Sequence, residues 1–187
     1  RHLEWGCGRC VVPDVKQGGL AGGADSGRNG DANVAELVGP PESGRAERRW
    51  SCVQAACDWA LLEAVRLESS KPTVDGGRKT ARDVRASGAT AVLTYNDLLA
   101  IGLMQELQAA GVVVPDHISI IGFDDIFGAD FTTPPLTTVR SPLGECGEAA
   151  AKRLLDFLHG SGEQAGTLSV ETELVLRGSS GRILPTK

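Results

Sequence analysis

The sequence predicts an α/β fold, a doubly wound parallel sheet flanked by helices. Two observations carry this expectation. Runs such as ATAVLTY (89–95) and HISIIGF (117–123) are rich in β-branched and apolar residues without polar alternation, as strands buried on both faces are. Between such runs lie amphipathic stretches of helical period, so strand and helix alternate along the chain. That order calls for right-handed crossovers and a parallel sheet covered by helices.

The elements follow in order. Residues 6–31 hold eight of the 24 glycines and show neither period, so 1–33 reads as a Gly-rich loop or disordered segment. VAELVG (34–39) is a short buried strand stopped by Pro40 and Pro41. Ser43 precedes a helix with Trp50, Val53, Cys57, Ala60 and Leu61 on one stripe. AVRLES (64–69) is a second strand, and Asp75 to Ser87 a polar helix with Gly88 placed to end it. ATAVLTY is the third strand. Asp97 to Ala110 is an amphipathic helix with Leu98, Ile101 and Leu107 in phase. HISIIGF is the fourth strand, and LTTVR (136–140) is held extended by the prolines before it. Pro142 to His159 forms a last helix with Cys146, Ala150, Leu154 and Phe157 in phase, and VETELVLRG (170–178) closes as a strand.

Composition narrows the class of protein. The chain has 187 residues, is 41% hydrophobic and carries a net charge of −5, so it can pack a core and is not mainly disordered. No apolar run approaches the roughly 20 residues of a membrane helix, and no secretory signal is visible, so no membrane partner is expected. An acidic balance argues against this segment itself coating DNA. Five cysteines without a signal peptide fit a reducing cytoplasm. Cys7 and Cys10 form a C-x-x-C without a convincing second pair, and the three histidines show no ligand spacing, so no metal and no cofactor are expected.

A ligand of an open parallel sheet binds beyond the carboxyl ends of its strands. Three polar clusters fall there: 39–43 with Arg45, Arg48 and Arg49, then Tyr95-Asn96-Asp97, then Gly122-Phe123-Asp124-Asp125. Carboxylate, arginine and amide side chains together suit a neutral polyhydroxyl ligand, since they accept from vicinal hydroxyls or donate in a planar fork. Asn96 or Asp97 also suits simple capping of the next helix. One of Asp124 and Asp125 is expected to bond loop amides. Arg45 and Arg48 read as a solvated face.

Enzymatic templates are missing. No G-x-S-x-G elbow appears, and GSSG (178–181) reads as a tail turn. GGRKT (76–80) lacks the spacing of a phosphate loop, and no G-x-G-x-x-G follows a strand. Adjacent Asp124 and Asp125 point apart in most backbones, which disfavours an acid–base pair. No enzyme activity is expected.

Five segments in series, VGPPES (38–43), PTVDGGR (72–78), SGATAVLTYNDLLAIGLM (87–104), VVPDHISIIGFDDI (113–126) and PPLTTVRSPLGECGEAAAKRLL (134–155), resemble the LacI/GalR family of bacterial transcription regulators. LRGSSGR (176–182) is similar to its closing segment. The resemblance covers 34–182 and implies a periplasmic-binding-protein-like (type I) lobe, here incomplete. It implies an effector-binding lobe over 34–141, a helix over 142–160 that packs on an N-terminal lobe lying outside this chain, and a closing strand and tail over 161–187. By motif position it implies that Arg49, Asn96 and Asp124 bind the effector's polar groups, with Ser141 and Leu143 lining the cleft. It implies a small-molecule effector, most simply a sugar, operator DNA read by a headpiece absent from this chain, a homodimer and a cytoplasmic repressor. A periplasmic-type sugar-binding protein of the same fold is the alternative.

Three departures stand out. Cys52 occupies a position that is often glycine in the family, and Ser70 one that is often aromatic. Residues 10–33 have no family counterpart, and an insertion or a disturbed reading frame would each account for them. The helix 142–159 is expected to carry an exposed apolar stripe.

Overall fold

The computed structural model describes residues 9–13, 33–40, 44–68, 71–160 and 166–183. Cys7, Ser43 and Ser70, most of the Gly-rich stretch and the side chains of Arg45 and Arg48 lie outside the described part.

The strands are β1 (Arg9–Pro13), β2 (Asn33–Val38), β3 (Glu63–Glu68), β4 (Ala91–Thr94), β5 (Ser119–Asp124), β6 (Thr137–Arg140), β7 (Gly166–Val170) and β8 (Glu173–Val175). The helices, numbered in the same way, are α1 (Gly44–Ala60), α2 (Val74–Ala86), α3 (Asp97–Ala109) and α4 (Leu143–Leu158). The main sheet has the order β3-β2-β4-β5-β6-β8, with β8 alone antiparallel. From β2 the chain winds outward to β3, then crosses back to β4 on the other side, so the order reverses between β2 and β4.

Alternation along β2 explains both faces. Val34 packs with Val53 and Cys57 of α1, and with Ala91, Leu93 and Ile121. Ala35 and Leu37 point the other way, into the larger cluster with Ala81 and Val84 of α2, Leu103, Met104 and Leu107 of α3, and Ile120. Helices α2 and α3 approach closely because glycine lies at the contact. A Cβ on Gly77 would stand 2.2 Å from the Leu99 carbonyl oxygen, and one on Gly102 1.9 Å from that of Val74. The GGRKT segment thus lies inside α2 as a packing surface.

Four details differ from the sequence expectation. In α3 the buried stripe runs through Leu99, Leu103 and Leu107, while Leu98, expected on it, is exposed. Residues 9–13 form a strand inside the segment expected to be loop. They find a partner in β7, with Arg9 opposite Gly166 and Pro13 opposite Val170. The run 170–178 is not one strand, because β7 ends at Val170 in this small sheet and β8 then joins the edge of the main one. Leu61, placed on the α1 stripe, sits just beyond the helix at φ 57° and is almost fully exposed.

The GSSG turn is more than a tail. Ser179 is fully buried, donates to the Ile120 carbonyl at 2.6 Å and accepts from the Thr137 amide at 2.8 Å. It stitches the chain end across β5 and β6. Helix α4 runs beside β1, off the main sheet, and leaves Leu143, Leu154, Leu155, Phe157 and Leu158 exposed while Cys146 is buried. No helix among the described residues is long and apolar enough to cross a membrane.

Candidate functional site

The carboxyl ends of β2, β4, β5 and β6 form one rim. Gly39 follows β2, and the Tyr95 ring covers it so tightly that a Cβ there would meet Tyr95 Cδ2 at 2.3 Å. Arg49 comes up from the second turn of α1 and is buried. Its Nε donates to Glu36 Oε1 at 3.0 Å, and its Nη1 donates to the Tyr95 carbonyl at 3.1 Å. The guanidinium carbon lies 5.1 Å from the Tyr95 ring centre and 4.7 Å from that of Phe123. Stacking of this kind holds a planar cation in place. Tyr95 and Phe123 immediately precede Asn96 and Asp124 in the chain, so Arg49 touches the residue before each of them.

Asn96 caps α3. Its Oδ1 accepts from the Leu99 amide at 3.0 Å, and its Nδ2 donates to the Pro72 carbonyl at 3.1 Å. The capping alternative therefore describes its bonds in this structure. Asp124 is half-buried at φ 107°, outside the regions that most residues adopt, and accepts from Ser141 Oγ at 3.3 Å. Backbone strain of this kind gathers at functional sites. Ser141 is buried behind it. Leu143 opens α4 two residues on and is exposed. The structure thus brings Arg49, Asn96, Asp124 and Ser141 to one rim, with Leu143 at its outer edge.

Asp125 is the structural partner of the pair, through arginines instead of the expected loop amides. It accepts from Arg140 Nε and from Arg177 Nη2, each at 2.7 Å. Desolvation raises its pKa, but the hydrogen bonds and charges of Arg177 and Arg140 outweigh that and leave it lowered.

Three contributors have roles that the sequence reading did not give them. Glu36 is fully buried in β2; burial pushes its carboxyl up, while the charge and hydrogen bond of Arg49 hold it back. Glu36 Oε2 and Arg49 Nη2 are buried without a hydrogen-bond partner among the described residues. Asp97 is fully buried and holds the GFDD turn: its Oδ2 accepts from the Ile126 amide at 2.8 Å and its Oδ1 from Thr138 Oγ1 at 2.6 Å. Its carboxyl is pushed up to about 6, chiefly by burial; the bonds from Thr138 and Ile126 oppose the rise, and Asp124 and Asp125 add to it. Arg177 is the third. The one visible signal was Glu36 itself, a carboxylate inside an apolar strand.

An open groove of about 460 Å³ between α2 and α3, lined by Arg78, Lys79, Arg82, Arg85 and Glu106, lies along the helices and away from this rim. Cys52, Cys57 and Cys146 form no disulfide, and burial pushes the Cys57 thiol up to about 11, which leaves it unreactive. The described residues hold no group of three metal-ligating side chains.

A parallel sheet whose order reverses beside a fixed arginine, with amide and carboxylate groups on the adjoining strand ends, is the arrangement in which open α/β sheets hold small ligands. Residues 30–180 match the periplasmic binding protein-like domain, and the chain belongs to that family. The relatives it matches include HTH-type transcriptional regulators and repressors, and its structural neighbours include LacI-family regulators. It is 35% identical to the HTH-type transcriptional regulator reg1 of Streptomyces lividans, over 65% of this chain and 35% of that protein. It is 31% identical to the arabinose metabolism transcriptional repressor of Geobacillus stearothermophilus, over 98% of this chain and 52% of the repressor. A LacI family regulator from Enterococcus faecium, solved with bound ribose, superposes with a TM-score of 0.86 at 26% identity, over 93% of this chain and 66% of that one. The chain spans about half or less of the length of these two curated relatives.

Proposed function

We propose that the chain is the effector-sensing part of a cytoplasmic, DNA-binding transcription repressor, and that a small polar ligand, a sugar, binds at the rim formed by β2, β4, β5 and β6. Arg49 donates to ligand hydroxyls, Asp124 accepts from them, and Asn96 adds an amide. Ser141 holds Asp124, and Leu143 contributes an apolar edge. The observation that carries the reading is the fixed Arg49, with one buried nitrogen unpartnered among the described residues at the point where the strand order reverses. A buried donor without a partner is costly, and a ligand oxygen relieves it.

The mechanism is a shift of population. A ligand that binds one arrangement of two lobes better than the other changes the fraction able to hold operator DNA, by no more than its difference in affinity between them. The whole regulator acts as a homodimer, reads DNA through a separate headpiece and catalyses no reaction. The ribose held by the Enterococcus faecium regulator and the arabinose in the name of the Geobacillus repressor favour a sugar.

The test is a thermal-shift screen of neutral sugars and nucleosides on the full-length protein, repeated with Asp124→Ala. The best compound is expected to raise the melting temperature by several degrees, and Asp124→Ala to abolish that shift. An unchanged shift in the variant sinks the site assignment.

A further inference from the structure

Glu36 sits among the apolar residues Val34, Ala35, Leu37 and Val38 of β2, and it is fully buried. Carboxylates are almost never placed there unless paired. Its Oε1 fixes Arg49 through Nε, the Tyr95 carbonyl takes Nη1, and the Tyr95 and Phe123 rings flank the guanidinium. Two atoms are left over: the acceptor Glu36 Oε2 and the donor Arg49 Nη2, both buried and unpartnered among the described residues. They belong to side chains already bonded to each other, so they offer an acceptor and a donor close together.

The charges at the rim are equally committed. Arg49 is neutralised by Glu36, while Arg140 and Arg177 are both held by Asp125. Asp124 adds a further carboxylate, bonded to a serine hydroxyl. An anionic ligand entering here meets Glu36, Asp124 and Asp125, while each described arginine of the rim already faces a carboxylate.

Resting on the reading that the ligand binds at this rim, we infer that Glu36 sets the charge class of the effector. By cancelling Arg49 it makes the site one for a neutral polyhydroxyl compound, which gives a hydroxyl proton to Glu36 Oε2 and accepts from Arg49 Nη2. The phosphorylated or carboxylated form of the same compound is rejected. Glu36 is in this sense both a positioning and a specificity-determining residue.

The experiment is isothermal titration of the full-length protein with matched pairs: ribose and ribose 5-phosphate, glucose and glucose 6-phosphate, arabinose and arabinose 5-phosphate, adenosine and its 5′-monophosphate. In the pair that binds, the neutral member is expected to bind at least about tenfold more tightly, which is the scale of one 1.4 kcal/mol discrimination. Glu36→Gln keeps an acceptor for Nε but removes the charge, and is expected to shrink that ratio by about tenfold or more with the circular dichroism spectrum unchanged. A phosphorylated member that binds the natural protein as tightly as its parent overturns the inference, and so does a Glu36→Gln variant that binds both members with the original ratio. Should Glu36→Gln fail to fold, the ratio in the natural protein decides alone. If neutral members bind but Asp124→Ala leaves them unaffected, the placement of the ligand at the rim has failed. If no pair binds at all, the small-molecule reading fails, and the Glu36 inference falls with it.

Discussion

Asp97 shows how one buried side chain can hold the strand-end rim together. Its two oxygens hold the amide of Ile126 and the hydroxyl of Thr138, so the turn that carries Asp124 and Asp125 is tied to the start of α3. Gly122 lies against it so closely that a Cβ would meet Asp97 Oδ1 at 2.0 Å. The folded carboxyl titrates near 6, above the ordinary value of 3.8. Between these values the folded chain keeps a proton that the unfolded chain has lost. The resulting stabilisation is fully present below about pH 4 and is lost as pH rises through 6, about 3 kcal/mol in all. Urea midpoints measured from pH 4 to 7 are expected to show this fall, and Asp97→Asn, which keeps an acceptor and gains a donor, is expected to flatten it. Asp125 acts differently, as a clamp for Arg140 and Arg177. Asp125→Ala is expected to cost about 1–2 kcal/mol in urea denaturation, with most of the loss from Arg177, because Arg140 is half exposed and screened.

At the scale of elements, the α2–α3 contact tests whether packing outweighs propensity. Alanine is favoured over glycine inside a helix by about 1 kcal/mol. At Gly77 and Gly102, however, the added methyl would press on backbone oxygens of the facing helix. Gly77→Ala and Gly102→Ala are therefore each expected to destabilise by about 1–3 kcal/mol, read as a lower melting temperature. A gain in stability at either site would mean that the helices can separate freely. The strands were legible because parallel strands buried on both faces leave continuous apolar runs, and β4 and β5 lie within one to two residues of their expected bounds. The split of 170–178 was not legible. Alternation marks a strand but not which sheet it joins, and β7 is fixed by β1, more than 150 residues away.

At the scale of the molecule, the main sheet carries helices on both faces, whereas α4 lies outside it beside β1. Its leucines at 154, 155 and 158 and Phe157 stay largely exposed. A helix that buries so little apolar surface opens at low free energy. Limited proteolysis is expected to cut within α4 before any strand of the main sheet, and equal protection of helix and strands would contradict this. The exposed stripe also makes α4 prone to self-association.

The sequence by itself determined the fold class, the order of elements from β2 to α4 and the strand ends near which Arg49, Asn96, Asp124 and Ser141 fall, because period and strand ends are local properties. It also carried the family resemblance, spread over five ordered segments. Only the tertiary structure decided what those residues bond to. Docking of α1 turned Arg49 onto Glu36, thirteen residues earlier in the chain, and placed Tyr95 and Phe123 around it. The pairing of β5 with β6 brought Thr138 to Asp97, and the returning tail brought Arg177 to Asp125. A buried charge is tolerable only where a distant partner meets it, and which partner does so is a property of the packed chain.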